Sequence, residues 1–206
     1  MEFLIYGVLA YILGSIPTAV WIGKSWFDTD IREHGSKNAG ATNTFRVLGK
    51  KAGIVVLSID ILKGVLATLL PFLWGDFSWY NDHLIHLKLV AGLCAVLGHI
   101  FPLFANFNGG KGVATSLGII IGIHPPAAFI CAALFLVVFL ISNYVSLGAI
   151  IGSISFPFSV EFVFKNENTV LMIFSILLST TVVILHHKNI MRLLDGTENK
   201  MNLFKK

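Results

Sequence analysis

Long apolar stretches, separated by shorter polar segments, dominate the pattern of this chain. A helix that crosses a membrane needs about 20 mostly apolar residues. Seven stretches meet or approach that length: 3–23, 53–74, 84–105, 112–124, 127–142, 144–163 and 169–185. The fourth is short, and Pro125 and Pro126 separate it from the fifth. We therefore predict an all-α polytopic membrane protein with seven transmembrane helices, the fourth of them short, that forms a single domain over 1–206.

The composition agrees with lipid as the solvent. Hydrophobic residues make up 55% of the 206 positions and charged residues 13%, and the mean hydropathy is +0.80. Soluble domains carry about 25% charged residues. These values argue against a soluble globule, a disordered chain, a disulfide scaffold and a nucleic-acid-binding protein. We expect membrane lipid around the helices and no nucleic-acid partner.

The distribution of Lys and Arg predicts the orientation, because short cytoplasmic loops carry an excess of positive charge. In a seven-span arrangement, twelve of the fifteen Lys and Arg residues fall in the loops after the first, third and fifth spans or in the C-terminal tail, which includes Lys205 and Lys206. The other three are Lys63, Lys88 and Lys165. We therefore predict that the N-terminus lies outside and the C-terminus in the cytoplasm.

The longest hydrophilic stretch, 24–52, joins the first two spans, whereas the connection over 75–83 is short. Within it, segment 32–46 combines cations with glycines, whose backbone N–H groups approach anions closely, and with Ser, Thr and Asn donors. We interpret the segment as a phosphate-binding loop; a solvated turn is the alternative. The candidate groups are Arg32, Ser36, Lys37, Asn38, Gly40, Thr42, Asn43 and Arg46.

A second polar segment, 108–115, opens the short fourth span. It places Lys111 between Gly109, Gly110 and Gly112, with Thr115 following. A glycine loop that leads into a helix N-terminus suits an anion. The ATPase phosphate-loop motif is excluded, because its spacing needs Gly at Ala105 and Ser or Thr at Gly112. The alternative to a phosphate site is a plain flexible turn.

The third polar segment, 186–198, leaves the last span. On a continuing helix, His186, Asn189 and Arg192 recur at three-residue spacing and share one face. They either point into a cytoplasmic cleft or belong to a basic helix end that anchors at the lipid headgroups. Ser146, at the start of the sixth span, either donates to a ligand or bonds within its own helix.

Two charges lie inside the second apolar stretch. A charge at the bilayer centre costs about 2.5–3.5 kcal/mol on the lenient insertion scale. Asp60 and Lys63 are three residues apart, so we predict that they pair with each other or face the bundle interior. His99, near the end of the third span, is interpreted as a core histidine instead of a ligand or base.

The predicted topology places the three polar segments on one face of the membrane, where they would bind phosphorylated ligands while apolar helices hold an acyl chain. A transporter is the rival class, since a charged pair in a span and a short broken span suit one. Transporters of that kind concentrate their motifs at mid-membrane, which favours the enzyme. No dense cluster of metal-ligating residues is evident, so no metal is expected.

The order and spacing of these motifs resemble the PlsY family, the bacterial membrane acyltransferases that use acyl-phosphate to acylate glycerol 3-phosphate. The resemblance runs along nearly the whole chain. It rests on motifs at 14–17, 35–46, 60–64, 98–102, 109–115, 144–146 and 186–198. It implies seven transmembrane helices in a bacterial cytoplasmic (inner) membrane, an active site at the cytoplasmic face, and catalysis of the first acylation step of phospholipid synthesis.

The resemblance also implies roles for single residues. The family's active-site serine falls on Ser36, and its catalytic cations and polar groups fall on Arg46, Lys111, Ser146, His186 and Asn189. Two positions depart from the family pattern: Lys37 replaces a usual Gly, and Asn143 replaces a frequent basic residue.

The implied reaction joins acyl-phosphate and glycerol 3-phosphate to give lysophosphatidic acid and phosphate. Acyl-phosphate already carries a good leaving group, so we favour direct transfer with Ser36 as a hydrogen-bond donor. Ser36 as nucleophile and His186 as general base are the alternatives. None of the seven histidines has Asp five residues on, unlike the His-x-x-x-x-Asp acyltransferases, so we expect no coenzyme A and no other cofactor. The sequence identifies no stable protein partner.

Overall fold

The computed structural model describes residues 1–73 and 77–201, without the side chains of 77–82. These residues form α-helices and short 3-10 and π turns, with no strand among them. The α-helices are α1 (Glu2–Gly14), α2 (Thr18–Phe27), α3 (Ala41–Val47), α4 (Lys50–Leu69), α5 (Phe77–Ile100), α6 (Val113–Ile123), α7 (Pro125–Ser142), α8 (Val145–Phe158), α9 (Thr169–Leu185) and α10 (His187–Leu194).

Every predicted span has a helical counterpart. Five helical segments among the described residues are long and apolar enough to cross a membrane: Glu2–Phe27, Lys50–Leu73, His83–Ala105, Pro125–Ser142 and Val145–Val163. The pair α9 and α10 makes a sixth if its 58° bend is counted within one span, and α6 is a shorter apolar helix. The all-helical membrane class is thus confirmed.

Two predicted loops are wrong in part. The stretch 24–52 contains the end of α2, all of α3 and the start of α4, and Gly49, with φ of +87°, separates the last two. The connector 75–83 is helical from Phe77, where α5 begins. Trp74, residues 75 and 76, and the tail cations Lys205 and Lys206 lie outside the described residues.

The chain divides into two compact units, Met1–His124 and Pro125–Lys206. In the first, glycines let helices approach closely, as is common in membrane proteins. A Cβ on Gly14 of α1 would collide with the Ala95 backbone of α5, and one on Gly64 of α4 would collide with the Thr115 carbonyl of α6. These approaches hold α1 against α5 and α4 against α6.

A small hydrophobic cluster lies between the polar loops and the helices of the first unit. It contains Ala19, Val20, Ile22, Ile31, Ala39, Ala52 and Val56. Ile31 and Val56 are fully buried. Since Ile31 and Ala39 flank segment 32–38, the cluster fixes both ends of that polar segment on the helices.

The second unit is built on α7, α8 and α9. Gly148 and Gly152 of α8 lie against Phe135 and Cys131 of α7. Pro157 lies inside α8 and has no N–H to donate, and the helix continues as a π turn over Ser159–Val163. The last span is followed by α10, which carries the third polar segment.

Candidate active site

A buried asparagine holds the first loop, defined here as residues 28–40. The side chain of Asn43 is fully buried. Its Nδ2 donates to the carbonyls of Ile31 at 2.9 Å and His34 at 3.0 Å, and its Oδ1 accepts the Ser36 N–H at 2.8 Å. Because both amide hydrogens are engaged by backbone, we assign Asn43 to positioning the loop instead of to the predicted contact with substrate.

The Arg32 guanidinium has a structural partner, which corrects its interpretation as a phosphate ligand. Arg32 Nε and Nη2 donate to the Asp30 carboxylate at 2.9 and 2.7 Å. Arg32 Nη1 donates to the Ala105 carbonyl at 2.9 Å. The hydrogen bond from Arg32 holds the pKa of Asp30 well below its usual range, and Asp30 in turn raises the pKa of Arg32. The ion pair therefore ties the first loop to the segment before the glycine loop.

The predicted catalytic residues of this region are more exposed to solvent than the residues that hold the backbone around them. Ser36 and Arg46 are exposed. Asn38 and Thr42 are half-buried, whereas Gly40 is buried and caps α3. A Cβ on Gly40 would lie 2.9 Å from the Asn38 side-chain nitrogen, so a larger residue there would displace the Asn38 side chain. The first loop thus presents the Ser36 hydroxyl, and the helix α3 that follows it presents the Arg46 guanidinium.

The glycine loop, defined as residues 109–112, follows the end of α5. Gly109 N–H donates to the Ile100 carbonyl and Gly110 N–H to the His99 carbonyl, each at 3.2 Å. These two amides cap the end of α5, and the part of Gly109 and Gly110 in substrate binding stays a prediction. Gly112, with φ of +77°, begins α6, and Lys111 is half-buried. The Lys111 ammonium and the first amides of α6 are the groups here whose chemistry suits an anion.

The first loop and the glycine loop are in contact. A Cβ on Gly110 would lie 3.2 Å from the Ala39 carbonyl oxygen. Thr115, predicted to bind substrate, is fully buried in the first turn of α6, with Oγ1 3.2 Å from His99 Nδ1. The structure therefore brings together two predicted phosphate loops, and it places Thr115 in their support.

In the second unit, three predicted site residues meet at a carboxylate that the sequence prediction missed. Glu198 Oε1 accepts hydrogen bonds from Ser146 Oγ and Asn189 Nδ2, each at 2.7 Å. Its Oε2 accepts from Arg192 Nε at 2.7 Å. Glu198 is 8% exposed. We call these four residues the Glu198 cluster.

Local backbone geometry places Glu198. Gly196 has φ of +68° just after α10, and the N–H groups of Thr197 and Glu198 donate to the Arg192 carbonyl at 2.8 and 3.1 Å. This turn folds the chain back onto the helix. The signal available from sequence was a single acidic residue after a glycine, at the end of a basic segment.

The electrostatics of Glu198 follow from these contacts. Burial by itself raises the pKa of this carboxyl, but the hydrogen bonds from Asn189, Ser146 and Arg192 lower it below its usual range. Glu198 is therefore charged at neutral pH. It neutralises Arg192 and orders the two neutral donors.

His186 stands where the chain bends, so the predicted continuing helix is wrong. The bend between α9 and α10 is 58°. His186 is buried, and its Nδ1 lies 2.7 Å from the Val182 carbonyl. A carbonyl only accepts, so Nδ1 carries a proton and donates it to the Val182 carbonyl.

By its fold, the chain is a helical membrane protein. Its first unit carries two loops in contact, and on or beside them Ser36, Arg46 and Lys111 are residue types suited to phosphate groups. The family model described as glycerol-3-phosphate acyltransferase matches residues 4–196. The chain therefore belongs to the glycerol-3-phosphate acyltransferase family.

Individual relatives agree with this assignment. A glycerol-3-phosphate acyltransferase of Enterococcus faecalis is 44% identical, covering 98% of this chain and 93% of the relative. One from Streptococcus pyogenes is 42% identical, covering 97% and 93%. The crystal structure of PlsY, an integral membrane glycerol 3-phosphate acyltransferase, in its glycerol 3-phosphate form aligns over 100% of both chains with a TM-score of 0.87 and 36% identity. Its lysophosphatidic acid form aligns over 98% and 96% with a TM-score of 0.83 and 34% identity.

Proposed function

We propose that this protein transfers an acyl chain from acyl-phosphate to the 1-hydroxyl of glycerol 3-phosphate and releases lysophosphatidic acid and phosphate. The observation that carries the proposal is the contact between the first loop, which bears Ser36 and leads into the helix of Arg46, and the glycine loop, which bears Lys111. The acceptor and the product are the molecules in the two forms of the solved PlsY structure.

An acyl-phosphate donor suits the groups that are present. This donor is a mixed anhydride with a good leaving group, so the protein needs mainly to position the substrates and stabilise charge. Among the described residues, no hydrogen bond joins the Ser36 hydroxyl to an imidazole or carboxylate that would activate it as a nucleophile. This supports direct transfer, with Ser36 as a hydrogen-bond donor.

The steps balance without a covalent enzyme intermediate. The 1-hydroxyl oxygen attacks the acyl carbon, and the bond between that carbon and the phosphate oxygen breaks. The hydroxyl proton leaves with the departing phosphate. Lys111 and Arg46 stabilise the negative charge of the two phosphate groups, and the Glu198 cluster holds the neutral donors Ser146 and Asn189 in the second unit.

His186 has a defined role in this scheme. We propose the role that the family resemblance implies: His186 orients the acceptor hydroxyl, and the leaving phosphate takes the proton. We expect His186→Ala to raise KM for glycerol 3-phosphate and to keep kcat within about tenfold. A loss in kcat of about 10²–10⁴-fold would instead show that His186 is the general base.

The proposal includes seven transmembrane helices in a bacterial cytoplasmic membrane, an outside N-terminus, a cytoplasmic active site, and one domain over 1–206. The bias of Lys and Arg along the chain supports the orientation. The match of the family model to residues 4–196, across both units, supports the single domain.

The Asp60–Lys63 pair no longer favours the rival transporter. Lys63 Nζ lies 2.8 Å from Asp60 Oδ1, and both side chains are at most 3% exposed. The prediction that they pair is confirmed. A buried, mutually neutralised pair supports the fold and gives a solute no charged group to bind.

The test uses purified protein in detergent. Glycerol 3-phosphate is supplied with palmitoyl-phosphate or with palmitoyl-coenzyme A, and lysophosphatidic acid and released phosphate are quantified. We expect lysophosphatidic acid and phosphate in equal amounts when palmitoyl-phosphate is the donor, and no product when palmitoyl-coenzyme A is the donor. Product from the thioester alone would overturn the donor and the mechanism. In liposomes, glycerol 3-phosphate carried across unchanged, with no lysophosphatidic acid, would establish a transporter instead.

A further inference from the structure

A buried ion pair in the first unit is hydrogen-bonded to Ile16 and Thr18, on either side of Pro17. Burying two charges is costly and by itself adds little stability. Asp60 Oδ1 accepts from Lys63 Nζ at 2.8 Å and from Thr18 Oγ1 at 3.1 Å. Lys63 Nζ also donates to the Ile16 carbonyl at 3.0 Å. The pair therefore joins α4 to the break between α1 and α2.

That break exists because Pro17 has no N–H and interrupts the helix. The N–H of Val20, which would reach Ile16 in a continuous helix, donates to the Pro17 carbonyl instead at 3.0 Å. The Ile16 carbonyl instead accepts the Thr18 N–H at 3.0 Å and the Lys63 ammonium at 3.0 Å. The ion pair thus fixes the point from which the first loop and its preceding helix depart.

His99 connects this pair to the glycine loop. Its Nδ1 lies 3.7 Å from Asp60 Oδ1 and 3.2 Å from Thr115 Oγ1. Its carbonyl accepts the Gly110 N–H, and a Cβ on Gly110 would collide with its Nε2. The ring therefore lies directly behind the glycine loop, with Asp60 on its other side.

We propose that His99 is a positioning residue that sets the place of the glycine loop, and that the Asp60–Lys63 pair fixes the His99 ring. The inference rests on the proposed function in one respect, that the glycine loop holds a substrate phosphate. His99 itself touches loop backbone, not the reacting atoms. Shifting the loop displaces the Lys111 ammonium from the phosphate, and displacements of about 1 Å cost up to ~100-fold in such sites.

A role in simple packing predicts something different. Loss of packing lowers the fraction of folded enzyme, which reduces kcat and the melting temperature while KM stays constant. Loss of loop position raises KM for the phosphate substrate that the loop holds while the protein stays folded. The two roles therefore separate in the ratio of KM to kcat.

The experiment compares His99→Ala and His99→Gln with His86→Ala. His86 lies on the same helix, α5, is half-buried, and has no hydrogen-bond partner for Nδ1. We expect His99→Ala to raise KM by about tenfold to 100-fold for the substrate whose phosphate the glycine loop holds, either acyl-phosphate or glycerol 3-phosphate. His99→Gln, which returns a polar group to the space behind Gly110, should recover most of that loss, and His86→Ala should match the wild type. A fall in kcat at constant KM, or equal effects at both histidines, would overturn the proposal.

A second measurement needs no substrate. Hydrogen exchange of the amides of 109–115 should be faster in His99→Ala than in the wild type and unchanged in His86→Ala. If the wild-type protein shows no acyl transfer but the exchange pattern holds, the proposed function fails and the positioning role stands. Unchanged exchange in His99→Ala overturns the positioning role.

The ion pair is tested as a neutral pair, Asp60→Asn with Lys63→Met, because removing one partner alone leaves a buried charge. We expect this variant to fold and to raise KM for the same substrate. Combined with His99→Gln, the effects should be less than additive, since both act on one contact. Additive effects would show that the pair does not act through His99.

Discussion

The first loop with its neighbouring helix α3 and the Glu198 cluster hold their predicted site residues in place by different means. In the first unit, Ser36 and Arg46 are exposed. The first loop, which carries Ser36, is held by another residue, the buried Asn43. In the Glu198 cluster, the predicted site residues hold one another: Ser146, Asn189 and Arg192 all donate to a single carboxylate. In the first region, the residues proposed to act on substrate differ from the residues that hold the backbone. In the Glu198 cluster, the same residues do both. A substitution should therefore affect either activity or stability in the first region, and both in the second.

The largest effect is expected from Lys111→Met. Loss of one charged donor to a developing negative charge costs about 10²–10³-fold in kcat, with little change in melting temperature because Lys111 is only half-buried. The measurement is a steady-state assay with palmitoyl-phosphate, beside thermal unfolding. Lys37→Met is the matched control, since it removes the same charge from an exposed position of the first loop. Equal losses in both variants would contradict a specific role for Lys111.

The support of the first region is tested by Asn43→Ala. Three hydrogen bonds to backbone are lost, one of them buried and two part-buried. Each is worth about 1 kcal/mol, so we expect a loss of about 3 kcal/mol in unfolding free energy. Asn38→Ala, at the half-buried position, should lose less than about 1 kcal/mol and act mainly on KM. Denaturation followed by circular dichroism measures both. The comparison fails if Asn38→Ala destabilises the protein as much as Asn43→Ala.

Glu198→Gln should reduce both stability and activity. Hydrogen bonds to a charged group are worth about 1.5–3 kcal/mol, so a loss of about 2 kcal/mol is expected near neutral pH, together with a drop in kcat/KM. Because the folded-state pKa of Glu198 is lowered from 4.5, its contribution is full above that pH and disappears as pH falls through the folded value. The difference in melting temperature between Glu198→Gln and the wild type should therefore narrow below pH 4.5. A difference independent of pH would contradict the charged cluster.

The smallest expected effect concerns Lys37, which has φ of +59°. A side chain in this left-handed region costs about 1–2 kcal/mol, while glycine adds roughly 0.5–1 kcal/mol of entropy loss on folding. Lys37→Gly should thus stabilise the protein by roughly 0.5 kcal/mol, measured by thermal unfolding. Lys37→Ala keeps the Cβ and should give no gain. Equal behaviour of the two variants would show that the backbone strain is absent.

The lengths of the apolar stretches predicted the helices well because lipid imposes a simple rule. Backbone polar groups must bond internally in a membrane, so apolar stretches of sufficient length become helices. The rule does not apply to polar segments, and two predictions there were wrong in part. The predicted loop 24–52 contains the helix α3, and the helix predicted to continue past His186 bends there. The pairing of Asp60 with Lys63 was predictable because the cost of a buried charge leaves few alternatives.

The candidate site divides in the same manner. Residue types and spacing alone predicted phosphate chemistry for the glycine loop, the first loop and the His186 segment. Which group acts and which one supports was decided by tertiary contacts: Arg32 and Asn43 turned inward, the Gly109 and Gly110 amides capped α5, and Glu198 gathered three donors. Hydrogen bonds between residues distant in sequence depend on where the chain folds back, and no local pattern encodes that.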